Sequence, residues 1–141
     1  MRLIGFNFTK INAERFPNSP ENIKFNTKID ISSIEPLKSD VLRVKDELIK
    51  VDFVYSVFYE PELAKLELSG NILLSVDPKM AKEVLKGWKD KETTDDFRIF
   101  LFNIILRKSN IKALQLEDEL ALPPHIPLPS LNKENMREKK E

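Results

Sequence analysis

The chain has 141 residues, 41% hydrophobic and 33% charged, with 23 Lys+Arg balanced by 23 Asp+Glu. That apolar content suits one domain with a single core, and zero net charge lacks the basic excess with which nucleic-acid binders meet phosphates. Cysteine is absent, which excludes disulfides and thiol chemistry. The longest apolar run, residues 99–106, is interrupted by Asn103 and is too short to span a bilayer. Met1-Arg-Leu-Ile leads into strand-like sequence without a signal-peptide pattern, so the expected compartment is the cytoplasm.

Residues 3–15 read as a first strand. Ile4, Phe6 and Phe8 share one parity and Ile11 and Ala13 take the other, which predicts a bulge near Thr9–Lys10. Pro17 to Pro20 mark a turn. The second strand has Ile23, Phe25, Thr27, Ile29 and Ile31 on one face and Asn22, Lys24, Asn26, Lys28 and Asp30 on the other. Residues 32–47 read as a charged loop around Pro36, although Val41, Leu42 and Val44 suit an extension of the neighbouring strand. A third strand carries Ile49, Val51, Phe53, Tyr55, Val57 and Tyr59 on one parity. Its opposite parity is polar except at Val54 and Phe58, so its far end is expected to be covered on both faces. Glu60-Pro61-Glu62 turns into a fourth strand with Leu66, Leu68, Ile72, Leu74 and Val76 in register, and Gly70 permits a bend or a close approach. Connections this short require antiparallel pairing.

Asp77 is placed to N-cap a short helix with Pro78 at its first position, on which Met80, Val84, Leu85 and Trp88 make an apolar stripe opposite lysines. Thr93 with Asp96 resembles a capping box for a long helix over residues 95–120. Its first half is apolar nearly all round, so it is buried on more than one side, and another subunit, another segment or a ligand must cover what the sheet does not. Prolines stop this helix and favour an extended path through Leu122-Pro-Pro-His-Ile-Pro-Leu-Pro129. The organisation is then one domain, residues 1–131, with a polar, disordered tail over residues 132–141.

Catalytic chemistry has little to work with. His125 is the single histidine, without a second His or a Cys to build a metal or nucleophile site, and it reads as a loop residue whose hydrogen bond fixes the proline segment. Glu117, Asp118 and Glu119 read as a solvated helix face or an acidic docking patch. Phe53, Tyr55, Phe58 and Tyr59 read as sheet core rather than a base-stacking platform. Gly5, Gly70 and Gly87 lie too far apart for a phosphate loop. No catalytic residue, metal ligand or cofactor is expected.

The layout resembles the SecB family of export chaperones. Ile11-Asn-Ala-Glu-Arg15 ends the first strand as in that family, and Asn22-Ile-Lys-Phe-Asn-Thr-Lys-Ile-Asp30 is similar to its second. The polar loop of residues 32–47, the glycine-containing Leu68-Ser-Gly-Asn-Ile-Leu-Leu74, the apolar start of the long helix and the proline-marked end follow in the family's order. The resemblance implies an α+β fold: a four-stranded antiparallel sheet followed by a short helix and one long helix. It also implies a homo-oligomer, dimer or tetramer, that holds non-native proteins without ATP in an apolar groove between sheet and helix. Groove candidates are Phe53, Tyr55, Phe58 and Leu73 on the sheet and Trp88, Phe97, Phe100 and Phe102 on the helices. No nucleic acid and no membrane partner is implied.

Two features depart from the family. The export chaperone is acidic and docks a motor ATPase through a negative sheet surface, whereas this chain is neutral, with Lys24, Lys28 and Lys50 among Asp30, Asp52 and Glu67. Its tail, Asn132 to Glu141, is mixed rather than acidic. A solitary SecB-like chaperone outside the export pathway suits these residues better. The competing expectations are a non-catalytic structural or assembly protein, whose apolar helix is wholly interface, and a small-ligand-binding module with one enclosed pocket.

Overall fold

The period-two alternation of the first half becomes a four-stranded antiparallel sheet in a computed structural model that describes residues 1–38, 46–134 and 136. In chain order the elements are β1 (Arg2–Arg15), β2 (Lys24–Leu37), β3 (Glu47–Glu60), β4 (Ala64–Val76), α1 (Pro78–Lys89) and α2 (Asp95–Glu119). The strands lie in the order β1-β4-β3-β2, so β1 and β2 are the outer strands. The expected α+β class is present, sheet first and helices second.

Local chemistry explains most of the register. β1 shifts register between Phe8 and Lys10, where the parity switch predicts a bulge, and again between Leu3 and Gly5. The shifts keep Phe6 opposite Ile72 and Ile11 opposite Leu68, on the core-facing side of β4. β2 runs further than its sequence suggests. The predicted loop at residues 32–37 is strand, entered through a register shift between Ile31 and Ser33 that turns Ile34 into the core. Pro36 is tolerated because β2 is an outer strand, where a missing N–H need not break a ladder. Val41, Leu42 and Val44 lie outside the described residues.

The core lies between the inner sheet face and the helices. Ile49, Val51, Phe53, Tyr55, Val57 and Tyr59 of β3 are buried there, with Leu66, Leu68, Ile72, Leu74 and Val76 of β4. Gly70 sits at the centre of this face. A Cβ there would run into the carbonyl oxygen of Asn7 on β1 and press on Phe53 Cζ at 3.0 Å. Gly70→Ala is therefore expected to lower stability by about 1–3 kcal/mol, read as a lower urea midpoint at unchanged slope. At Gly5 the nearest neighbour of an added Cβ is Leu73 Cδ1 at 3.8 Å, so Gly5→Ala should change stability by no more than about 0.5 kcal/mol.

Asp77 caps α1 as expected, its carboxylate accepting the Met80 N–H at 2.7 Å, with Pro78 in the first turn. The cap of α2 is Thr94, not Thr93. Its hydroxyl accepts from Phe97 N, and Asp95 and Asp96 then occupy the first turn, where the helix dipole favours negative charge.

On α2 the buried residues are Phe97, Leu101, Ile105, Ser109, Ala113 and Glu117, one in every four. At 3.6 residues per turn, each step of four advances the buried line by about 40°. The covered stripe therefore winds around the helix, and no single face is left wholly wet. Phe100, Phe102, Ile104 and Leu106 are half-buried beside it, while Ile99 and Ile111 are 59% and 54% exposed. Among the described residues, no helix is long and apolar enough to cross a membrane. Beyond residue 131, Lys133, Glu134 and Met136 are helical, with Met136 N–H donating to Asn132 O at 3.0 Å. The remainder of the tail lies outside the described residues.

Candidate functional site

The end of α2 is built to turn the chain back on itself. Ala121 adopts a left-handed conformation, φ 54°. The Leu122 N–H then reaches Glu117 O at 2.8 Å and the Ala121 N–H reaches Asp118 O at 3.2 Å, the paired bonds of a Schellman ending. Arg15, at the end of β1, donates from Nη1 to the carbonyls of Leu120 at 2.9 Å and Ala121 at 2.8 Å. Leu122 is buried, and residues 122–129 lead on as a proline-rich strap that reaches β3 through side chains.

His125 is the strap's central anchor. Its backbone N–H donates to Glu117 Oε1 at 3.1 Å. Its ring Nδ1 lies 3.0 Å from Oε1 and 2.7 Å from Oε2 of the same carboxylate, and both side chains are 1% exposed. On the other side of the ring, Nε2 lies 2.8 Å from Tyr55 Oη and 3.1 Å from Asn110 Oδ1. The Tyr55 hydroxyl donates to Asn110 Oδ1 at 2.5 Å, and the Tyr59 hydroxyl donates to the carbonyl of Pro123. One imidazole thus joins the strap, α2 and β3.

The expected role of His125, fixing the proline segment by a hydrogen bond, is present, and it is a larger network than a loop histidine implies. Glu117 departs from the expected solvated face. It is buried at the end of the one-in-four row of α2, and only Asp118 and Glu119 face solvent. The available signal was its position four, eight and twelve residues after Ala113, Ser109 and Ile105. A carboxylate on a buried row requires a partner, and His125 supplies it from across the turn.

Carboxylate, imidazole and hydroxyl in this order form the skeleton of a proton relay. Here the hydroxyl belongs to a fully buried Tyr55 whose proton is already directed to Asn110. The arrangement holds the strap rather than presenting a nucleophile. Among the described residues, no three His, Asp or Glu side chains are grouped to hold a metal ion.

Burial, and after it the negative charge of Glu117, pushes both tyrosines well above their ordinary value. The folded state therefore keeps its phenolic protons more tightly than the unfolded state does. The stability this represents is present in full below the unfolded value of about 10 and is lost as pH rises beyond it. Tyr55 and Tyr59 are the chain's two tyrosines, so absorbance at tyrosinate wavelengths reads this network alone. Above about pH 10 we expect phenolate to appear together with loss of the fold, followed by circular dichroism. Ionisation of both tyrosines in the intact fold would contradict the buried network.

The eight predicted groove residues fall in three places. Phe53, Tyr55 and Phe97 are fully buried in the core. Phe58 and Leu73 lie on the opposite sheet face, where Phe58 is covered by Lys65, whose Nζ stands 5.7 Å from the ring centroid. Trp88, Phe100 and Phe102 are half-buried in the helical layer. Among the described residues, the eight thus divide between the core, the outer sheet face and the helical layer. The outer sheet face is a neutral mosaic, with Lys10–Glu67 at 3.0 Å, Lys28–Asp30 at 3.6 Å and Lys50–Asp52 at 4.0 Å. Lys10 holds the Glu67 carboxyl below its usual range.

This architecture, an antiparallel four-stranded sheet backed by a short and a long helix, is a SecB-like fold. A solved structure of the Mycobacterium tuberculosis Rv1957 SecB-like chaperone, in complex with a ChAD peptide from the Rv1956 HigA1 antitoxin, matches it with a TM-score of 0.53. The two are 11% identical, over 93% of this chain and 89% of that one, so the likeness is one of fold. No family model matches the chain, and no curated protein matches it in sequence.

Proposed function

We propose that this protein is an ATP-independent holding chaperone that binds non-native polypeptides in extended form, acts as a homo-oligomer and works in the cytoplasm. The observation that carries the reading is the SecB-like fold, shared with a chaperone whose structure contains a bound peptide. The half-buried aromatic residues of the helical layer support it, because Trp88, Phe100 and Phe102 offer apolar area, the kind of contact an unselective binder uses. Client contact is assigned first to these three. Ile99 and Ile111, large apolar side chains exposed on α2, support a further subunit against this helix. Residues 1–131 are taken as the working domain and residues 132–141 as its tail.

The test is aggregation suppression without nucleotide, with oligomer mass fixed beforehand by light scattering. A chemically unfolded model protein diluted into buffer should remain soluble at near-stoichiometric amounts of this protein. Phe100→Ser should lose the effect while assembling normally. A well-folded oligomer that suppresses nothing would move the function to the assembly-protein reading.

A further inference from the structure

The strap is attached in an unusual way. Among the described residues, no backbone-to-backbone hydrogen bond joins residues 123–129 to the sheet or to α2. What holds it is side-chain chemistry at two points, Tyr59 on the Pro123 carbonyl and Glu117, Asn110 and Tyr55 around His125, while Arg15 fixes the Leu120 and Ala121 carbonyls just before it. Past His125 the strap loosens, and Leu128 is 53% exposed. A proline-rich segment stays extended when released, so opening costs the tethers and little refolding of the strap itself.

The floor beneath joins aromatic rings to the polar groups that hold the strap. The His125 ring meets Tyr55 edge-on at 6.3 Å, and Tyr59 carries Phe25 edge-on at 5.0 Å. Phe25 belongs to the outer strand β2 and is 43% exposed, so the covered floor continues into an open sheet edge. A strap of extended, leucine- and proline-rich chain lying on this floor displays the kind of ligand the floor accepts. We infer that residues 123–129 are a displaceable cover, an internal stand-in for an extended apolar client segment, and that the Glu117–His125 pair is its lock. This inference rests on the chaperone reading and deepens it. Tyr55, unreachable in the closed chain, becomes client surface when the strap leaves.

The probe is a fluorescently labelled synthetic peptide with the sequence of residues 120–131, titrated into the full chain and two variants. His125→Ala removes the lock. Arg15→Ala releases the turn just before the strap from outside the core and leaves the buried network intact, so it covers the case in which the first variant fails to fold. Both should bind the peptide at least tenfold more tightly than the unaltered chain. In the unaltered chain, an unfolded client should strip hydrogen-exchange protection from the His125 amide while that of Ile105 persists. Equal peptide affinity in the chain and in its folded variants overturns the cover, even where aggregation is suppressed. Tighter peptide binding in a chain that never suppresses aggregation upholds the displaceable strap and overturns the chaperone reading instead.

Discussion

Glu117→Ala is expected to lower stability by about 3–5 kcal/mol, because it leaves a buried imidazole N–H and the His125 amide without their acceptor. For a chain of this size that corresponds to a fall of about 10–20 °C in Tm, measurable by circular dichroism. Against a typical total of about 5–15 kcal/mol, such a loss brings the chain close to unfolding at moderate temperature. The mechanism makes a sharper statement than the size does. A buried, hydrogen-bonded polar pair costs desolvation on both partners, so replacing both with apolar residues often costs less than removing one. Glu117→Leu combined with His125→Leu should therefore be less destabilised than either single change. If the two single effects simply add, the residues are not partners in the folded protein.

Phe53→Ala is the second large effect, at about 3–5 kcal/mol. Phe53 is 1% exposed at the centre of the inner sheet face, beside Gly70, with the rings of Phe6 and Phe8 at 5.4 Å and 6.4 Å. Truncation opens a cavity that β4, paired with β3 without a register shift, cannot close by moving inward. The loss should appear as a lower denaturant midpoint. It should also raise hydrogen exchange in β1, because Phe6 and Phe8 lose the surface that anchors this outer strand. A change below about 1 kcal/mol would mean that the inner face is not a packed core.

The two buried strands were the most legible part of the chain. β3 and β4 alternate over 14 and 13 residues with hardly a break, and a strand buried on one face can be read from its own residues. The extension of β2 through Pro36 was not legible, because what excuses the proline is the position of β2 at the sheet edge, which no local pattern carries. Thr94 rather than Thr93 as the cap of α2 is a one-residue matter between two equally good capping residues. Glu117 reads as exposed, on a solvated face or docking patch, for a physical reason: acidic residues are rarely buried unless paired, and its partner enters only after the helix has ended and turned. The groove set shows a different limit. Parity alone places Phe58 opposite Phe53 and Tyr55, and Leu73 opposite Ile72 and Leu74, so their division between two faces was readable. How far each is covered depends on Lys65, the strap and α2, which only the fold brings into place.

Recognition of the non-native state is tested by comparing two forms of one polypeptide. Isothermal titration of this protein, without nucleotide, with a permanently unfolded protein and with its native form tests for recognition of the non-native state. A holding chaperone should bind the unfolded form at least a hundredfold tighter, about 2.7 kcal/mol in binding free energy. Equal affinity for the two forms, or no binding of the unfolded one by a folded oligomer, would contradict that role.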